Sequence, residues 1–165
     1  MEDPEAVNLI YLQAVSDVVT NRYPSNQKDL TVLAALQLQA TFGNYRPDTH
    51  TRTWLGDRLL EFIPKYVVIQ QGKVSVALKS EWIVKVLAKW QKIQNFEEVE
   101  AKINYLDYVQ EWVFYGSTLF QVEQRQFKEY PSPLFLGINC EGVMLQHPVI
   151  LPIFLQNDVP HSQVI

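Results

Sequence analysis

The stretch that decides the fold runs Leu33-Ala34-Ala35-Leu36-Gln37-Leu38-Gln39-Ala40-Thr41-Phe42-Gly43-Asn44-Tyr45. It is apolar almost all round, which is typical of a helix that is buried on most of its sides. Its alanines would allow neighbouring helices to approach closely, and Gly43 can end the helix with a positive φ. Gln37 and Gln39 are the polar exceptions. They predict either a ligand pocket or, as we favour, hydrogen bonds to the ends of neighbouring helices.

On both sides of this helix the chain keeps a helical period, as far as about residue 113. Asp3 and Pro4 have the residue types that begin a helix. The inward face of that first helix is predicted to be Val7, Ile10, Tyr11, Ala14, Val15 and Val18. A short helix is predicted around residues 53–62, then a turn at residues 70–72. Two further helices are predicted to bury Trp82, Ile83, Val86, Leu87, Trp90 and Ile93, and then Val99, Ile103, Leu106 and Val113.

From Tyr115 and Gly116 onward the period changes to that of strands. Apolar residues alternate with polar ones at Phe120 and Val122, and again at Leu134, Leu136 and Ile138, as in half-buried strands. Residues 139–142, with the sequence Asn-Cys-Glu-Gly, predict a hairpin turn. The predicted fold class is therefore α+β, with an all-helical bundle over residues 1–113 followed by strands over residues 114–165.

The composition excludes several classes of protein. The 165 residues carry a net charge of −4, which disfavours a nucleic-acid-binding protein. A single cysteine, Cys140, excludes an intramolecular disulfide and a multi-thiolate metal site. No apolar run is long enough to span a bilayer, and the N-terminus lacks a secretory signal. These features favour a cytoplasmic protein without a transmembrane segment.

One part of the chain is strongly basic. Residues 65–92 contain six lysines and one glutamate. Lys85, Lys89 and Lys92 have the spacing i, i+4, i+7 of one helix face, and together with Lys79 they form a candidate surface for an acidic partner or anionic lipid headgroups. The alternative is a solvated face that is balanced by the acids of the next helix, since short charge runs are usually only surface.

The sequence predicts no catalytic, cofactor-binding or metal site. His50, His147 and His161 lack the spacing of metal ligands, and there is neither a glycine-rich phosphate loop nor a Gly-x-Ser-x-Gly motif. Cys140 lies in a predicted turn without the flanking sequence of a nucleophile, which favours a structural thiol. We therefore expect a protein that is not an enzyme and needs no cofactor.

Several motifs, in this order, resemble the FERM domain of membrane–cytoskeleton linkers. They are residues 10–18, Arg22-Tyr23-Pro24, the opening stretch at residues 33–45, residues 98–106, residues 115–122 and residues 134–143. The resemblance implies that residues 1–113 form the helical middle lobe, which is similar in fold to acyl-CoA-binding proteins. It implies that residues 114–165 form the first strands of a third lobe, a pleckstrin-homology-like β-sandwich that would be truncated here.

Within that family, residues 60–66 and 117–124, followed by Tyr130 and Pro131, resemble the MyTH4–FERM tail of an unconventional myosin. The resemblance implies a non-catalytic protein-interaction module, associated with the cytoskeleton in the cytoplasm. Its partners would be cargo tails, the motor head or membrane receptors, and anionic lipids. The alternatives are a talin- or band-4.1-like membrane–actin linker, a regulatory lobe of a kinase or phosphatase, and a helical domain that binds acyl-CoA or lipid.

Overall fold

The computed structural model describes residues 3–23, 25–123, 125, 134–140 and 142–146. The chain divides into two compact units. The first consists of Met1–Asn21 and Ser25–Glu111, and the second of Arg22–Pro24 and Trp112–Ile165. The domain boundary between residues 113 and 114 stays a prediction. The sequence motif at Tyr130 and Pro131, like His147 and His161, lies outside the described residues.

In its described residues, the first unit contains five α-helices and a short hairpin. The helices are α1 (Pro4–Val19), α2 (Gln27–Phe42), α3 (Arg52–Arg58), α4 (Val76–Trp90) and α5 (Glu98–Gln110). One turn of 3₁₀ helix, Leu59–Glu61, extends α3, and another, Lys65–Val68, precedes the antiparallel strands β1 (Ile69–Gln70) and β2 (Lys73–Val74). The five predicted helices and the predicted turn are therefore confirmed.

Helices α1 to α4 begin where a side chain satisfies one of their first free amides. Asp3 Oδ1 accepts a hydrogen bond from the Glu5 amide at 3.0 Å, and Asn26 Oδ1 accepts one from the Asp29 amide at 3.0 Å. Thr51 and Ser75 accept equivalent bonds at the starts of α3 and α4. Because the first amides of a helix have no partner within it, such caps fix the boundaries locally.

The core of the first unit surrounds α2. Leu33, Ala34, Ala35 and Leu38 are almost completely buried, and α2 packs against both α4 and α5. This is the burial on most sides that the apolar stretch predicts. Since alanine adds little bulk beyond the backbone, the two alanines allow close helix packing without a cavity.

Three residues that were predicted to face inward are exposed: Ile10 by 49%, Val99 by 44% and Val113 by 69%. Between α1 and α5 lie the rings of Tyr11 and Tyr105, which are buried and meet edge to face with their centroids 5.2 Å apart. With these large rings buried between the helices, Ile10 and Val99 lie on the flanks and remain outside. Val113 lies beyond the end of α5 and no longer follows its period.

The second unit contains, in its described residues, an antiparallel sheet with the strand order β3–β4–β5. The strands are β3 (Thr118–Val122), β4 (Leu134–Asn139) and β5 (Gly142–Gln146). Asn139 pairs with Gly142 across the β4–β5 turn, and its Oδ1 accepts the Gly142 amide at 3.1 Å. The predicted hairpin and the predicted α+β class are both confirmed.

The burial of residues on the two faces of this sheet differs from what the alternation of apolar and polar residues predicts. Phe135 and Gly137 are buried, and a Cβ on Gly137 would lie only 3.3 Å from Cδ1 of Phe114. On the neighbouring residues, Phe120 is 43% exposed and Ile138 is 42% exposed. The ring of Phe114 thus packs against the sheet at Gly137. Because glycine has no apolar side chain, the alternation of apolar residues does not reveal this buried position.

Tyr23 belongs to the second unit, although it lies between α1 and α2 in the sequence. Its hydroxyl oxygen accepts a hydrogen bond from the Gly116 amide at 3.1 Å. Its ring contacts Trp112 and Tyr115, with centroid distances of 6.4 and 6.2 Å. Tyr23 of the Arg-Tyr-Pro motif therefore contacts the segment of the second unit that leads into β3.

Candidate functional site

Helix α4 carries most of the predicted basic surface. Lys85 and Lys89 lie on the helix itself and are half-buried, whereas Lys92 lies two residues beyond its end and is exposed. The turn that follows α4 keeps Lys92 close, because its amide donates to the Lys89 carbonyl at 3.0 Å. The structure therefore places these three lysines along one side of α4, and we call them the lysine stripe.

Lys79 lies apart from the lysine stripe. It precedes Lys85 by six residues on α4, which corresponds to a rotation of about 120° around the helix axis at ~100° per residue. Like Lys85 it is half-buried. The structure thus brings together three of the four predicted residues and puts the fourth on a different flank of the same helix.

Lys85 has an acidic partner on its own helix. Its ammonium group donates a hydrogen bond to Glu81 Oε1, one turn earlier. This hydrogen bond and the positive charge of Lys85 lower the pKa of the Glu81 carboxyl. Among the described residues, Lys89 and Lys92 have no acidic partner within salt-bridge distance. Lys85 is therefore paired with an acid of its own helix, and the solvated face balanced by the acids of the next helix remains the alternative prediction for the charge run.

The two glutamines of α2 have structural roles, as favoured from the sequence. Gln39 Nε2 donates to the carbonyl of Phe96 and to Asn44 Oδ1, both at 2.9 Å. Its Oε1 accepts the indole N–H of Trp90 at 3.1 Å. Gln37 Nε2 donates to the Glu61 carbonyl at 3.1 Å. These bonds fix the C-terminal ends of α2 and α4, and with them the position of the lysine stripe.

His50 is part of an aromatic cluster. Its ring centroid lies 4.4 Å from that of Trp90 and 4.9 Å from that of Trp54. Its Nδ1 accepts the backbone N–H of Arg46 at 2.9 Å, so the ring proton is placed on Nε2 in the neutral form. Burial, and then the charge of Arg46, lower the pKa of His50 below its ordinary value of 6.5.

Other candidates for chemistry remain isolated. Cys140 is an exposed free thiol at the β4–β5 turn. The described part of the chain contains no group of three or more His, Cys, Asp or Glu side chains that could hold a metal ion. In that same part, no helix combines the length and the apolar character that crossing a bilayer would require.

Sequence reasoning missed an exposed aliphatic surface on α1. Leu9, Ile10 and Leu12 are between 49% and 69% exposed, within a single turn of the helix. The signal was present in the sequence, because Leu9 and Leu12 lie outside the face formed by Val7, Tyr11 and its neighbours. Helix α1 therefore has more large aliphatic residues than its buried face requires.

Comparisons with known proteins identify the family. Residues 1–120 match the FERM central domain family. The C-terminal MyTH4-FERM domain of human Myosin 7b, solved in complex with the harmonin-a PDZ3 domain, is 26% identical with a TM-score of 0.60, over 84% of this chain and 27% of that chain.

Two curated relatives are similar over a comparable range. Talin-1 of Gallus gallus is 29% identical over 143 residues, which are 86% of this chain and 5% of the talin. FERM domain-containing protein B of Dictyostelium discoideum is 27% identical over 150 residues, which are 87% of this chain and 30% of that protein. The chain thus spans less than a third of the length of these relatives. Because the family match covers well over half of the chain, the chain belongs to the FERM central domain family.

Proposed function

We propose that this chain is a non-catalytic protein-interaction module from the MyTH4–FERM tail of an unconventional, actin-based myosin. The observation that carries the proposal is the likeness in both sequence and fold to the MyTH4-FERM domain of human Myosin 7b. That domain was solved with a PDZ domain bound, which supports a protein as the partner here too. The module would bind cargo or fold back on the motor head, in the cytoplasm and associated with the cytoskeleton.

The second candidate is a linker between membrane receptors and actin that has no motor. The similarity to Talin-1 over 143 residues favours it. The transcript on both sides of this segment distinguishes the two. A motor head and MyTH4 helices upstream support the myosin tail, and their absence from the full-length transcript overturns it in favour of the linker.

The lysine stripe is the surface that we propose for an acidic partner, either an acidic protein segment or anionic lipid headgroups. Lys89 and Lys92 support it best, since their charges have no acidic partner among the described residues. Lys79 belongs to this surface only if the partner is wide enough to reach the adjacent flank of α4. Attraction between exposed charges is screened over about 10 Å at 0.1 M salt, so binding should weaken as salt is added.

The test replaces Lys85, Lys89 and Lys92 together with Glu. The matched control carries the same change of charge at Lys28, Arg52 and Lys65, which are exposed and lie outside α4. The probes are vesicles of phosphatidylcholine and phosphatidylserine, and a glutamate-rich peptide. We expect the stripe variant to lose binding to one of the two probes while the control variant keeps it. Equal binding by the two variants would remove the lysine stripe from the proposal. The variant Lys79→Glu, measured alone, shows whether the partner reaches the second flank.

A further inference from the structure

Helix α1 exposes three large aliphatic side chains within one turn. Leu9 is 69% exposed, Ile10 is 49% exposed and Leu12 is 53% exposed. Leu9 and Leu12 are three residues apart and lie next to each other on the helix surface, whereas Ile10 lies on the flank, about 100° around the axis from Leu9. Single exposed aliphatic residues are ordinary on a protein surface, whereas adjacent exposed leucines are characteristic of an interaction site. The opposite side of the same helix is well packed, with Val7, Tyr11, Ala14 and Val18 buried, so α1 is held firmly while its outer side stays apolar.

The surroundings of this outer side are acidic. Residues 3–19, which cover α1 and its cap, contain neither Lys nor Arg. Of their three carboxylates, Asp3 and Glu5 are exposed, whereas Asp17 is buried and accepts a hydrogen bond from Gln13. Helix α5 packs against α1, and residues 97–111 add five carboxylates and one lysine, Lys102. The α1–α5 pair therefore combines exposed aliphatic residues with a strong negative charge, which is the reverse of the lysine stripe on α4.

The one cation of this helix pair is engaged within the pair. Lys102 Nζ donates to Asn8 Oδ1 at 2.8 Å and to Glu98 Oε1 at 2.5 Å. The ammonium group also lies 5.6 Å from the centroid of the Tyr11 ring, and the side chain is only 13% exposed. Lys102 is thus held against α1 and α5 and presents little positive charge to an incoming partner.

We propose that the outer side of α1 binds a basic amphipathic helix of a partner protein. The aliphatic face of such a helix would cover Leu9 and Leu12, and its lysines or arginines would lie among the exposed carboxylates of α1 and α5. The same acidity disfavours the alternatives. An anionic lipid surface or an acidic peptide would be repelled, and a second copy of α1 would bring carboxylates together. This proposal does not depend on the lysine stripe, which lies on a different helix.

The probe is a synthetic leucine–lysine peptide with leucines at i, i+3, i+4 and i+7. Two comparison peptides keep its length: one has glutamate in place of every lysine, and one has the same composition in an order without an apolar face. Each is titrated into the full chain, into the variant Leu9→Gln/Leu12→Gln, and into the control variant Val76→Gln/Val84→Gln. The control changes two exposed aliphatic residues on α4.

We expect the leucine–lysine peptide to bind the full chain and the α4 control variant equally, and to bind the α1 variant at least tenfold more weakly. Added salt should weaken this binding, and hydrogen exchange should show new protection in α1. Equal binding to both variants overturns the proposal, as does equal binding of the reordered or the glutamate peptide. If circular dichroism shows that the α1 variant is unfolded, the variant Glu5→Lys tests the proposal instead. It reverses a charge on the exposed first turn and should weaken binding several-fold, and unchanged affinity overturns the proposal.

Discussion

The indole Nε1 of Trp90 donates a hydrogen bond to Oε1 of Gln39 at 3.1 Å, although 51 residues separate the two in the chain. Both side chains are almost completely buried. The amide nitrogen of Gln39 is used as well, by the carbonyl of Phe96 and by Asn44. One side chain of α2 thus binds the end of α4 and the segment that precedes α5.

Replacing Gln39 with Leu should lower the free energy of unfolding by about 2–4 kcal/mol, because it leaves buried polar partners without hydrogen bonds. The Phe96 carbonyl loses its donor, while the Trp90 indole keeps only its 3.0 Å bond to the Gly43 carbonyl. Urea unfolding followed by Trp fluorescence measures the change. Gln37→Leu is the control and should cost no more than about 1.5 kcal/mol, since the bond from Gln37 to Glu61 is near the surface. A smaller loss of unfolding free energy for Gln39→Leu than for Gln37→Leu would contradict the structural role assigned to the hydrogen bonds of Gln39.

Replacing Gly43 with Ala should destabilise the chain through its backbone alone. Gly43 has φ 71° and ψ −149°, a conformation that residues with a Cβ adopt only at a cost of about 1–3 kcal/mol. No atom lies within 4 Å of the added Cβ, so a clash plays no part. Gly56→Ala is the control. There the backbone is helical and the Cβ would meet Ile83 at an ordinary 3.4 Å, so thermal unfolding should show little change or a small gain.

Lowering the pH should weaken the first unit through His50. Its pKa is lowered in the folded chain relative to 6.5, so the unfolded chain takes up the proton first as the pH falls. The stability that comes from the neutral ring is therefore complete above pH 6.5 and is lost as the pH falls from there toward the folded pKa. Urea midpoints between pH 7.5 and 5 measure this slope.

The variant His50→Gln serves as the comparison for that slope. Its amide oxygen can accept the Arg46 amide but does not titrate, while all other ionisable groups are unchanged. The wild-type chain should lose more stability than the variant over this range. Parallel slopes for the two proteins would show that His50 is not the group responsible.

Replacing Tyr23 with Phe should cost the second unit about 1 kcal/mol, because the Gly116 amide loses its acceptor. The ring contacts with Trp112 and Tyr115 remain possible for Phe. Hydrogen exchange at the Gly116 amide should become faster, while amides in α2 should keep their rates. An unchanged rate at Gly116 would mean that this hydrogen bond does not persist in solution.

The sequence predicted the helices of the first unit well because their signals are local. A capping side chain such as Asp3 or Ser75 acts within three residues, and the apolar period of α4 is read directly from Trp82 to Trp90. Ile10 and Val99 were placed on the wrong side because helix rotation is set by the partner helix. Neither residue's own neighbours in the chain reveal that Tyr11 and Tyr105 take the contact.

The candidate site was predictable only in part for the same reason. The spacing of Lys85, Lys89 and Lys92 follows from helix geometry, whereas the pairing of Lys85 with Glu81 required the rotamers of both side chains. The aliphatic surface of α1 was overlooked because periodicity identifies a buried face and says little about what remains outside it. Leu9 and Leu12 are informative only once the burial of Tyr11 is known.

The position of Tyr23 has a consequence for dissecting this protein. The chain enters the second unit between α1 and α2 and returns to build the rest of the helical bundle. A fragment that ends before Gly116 therefore lacks the amide that donates a hydrogen bond to the Tyr23 hydroxyl oxygen. The family match extends to residue 120 and thus includes this donor. An expressible form of the helical lobe should keep Gly116, because no single cut through the chain separates the two units.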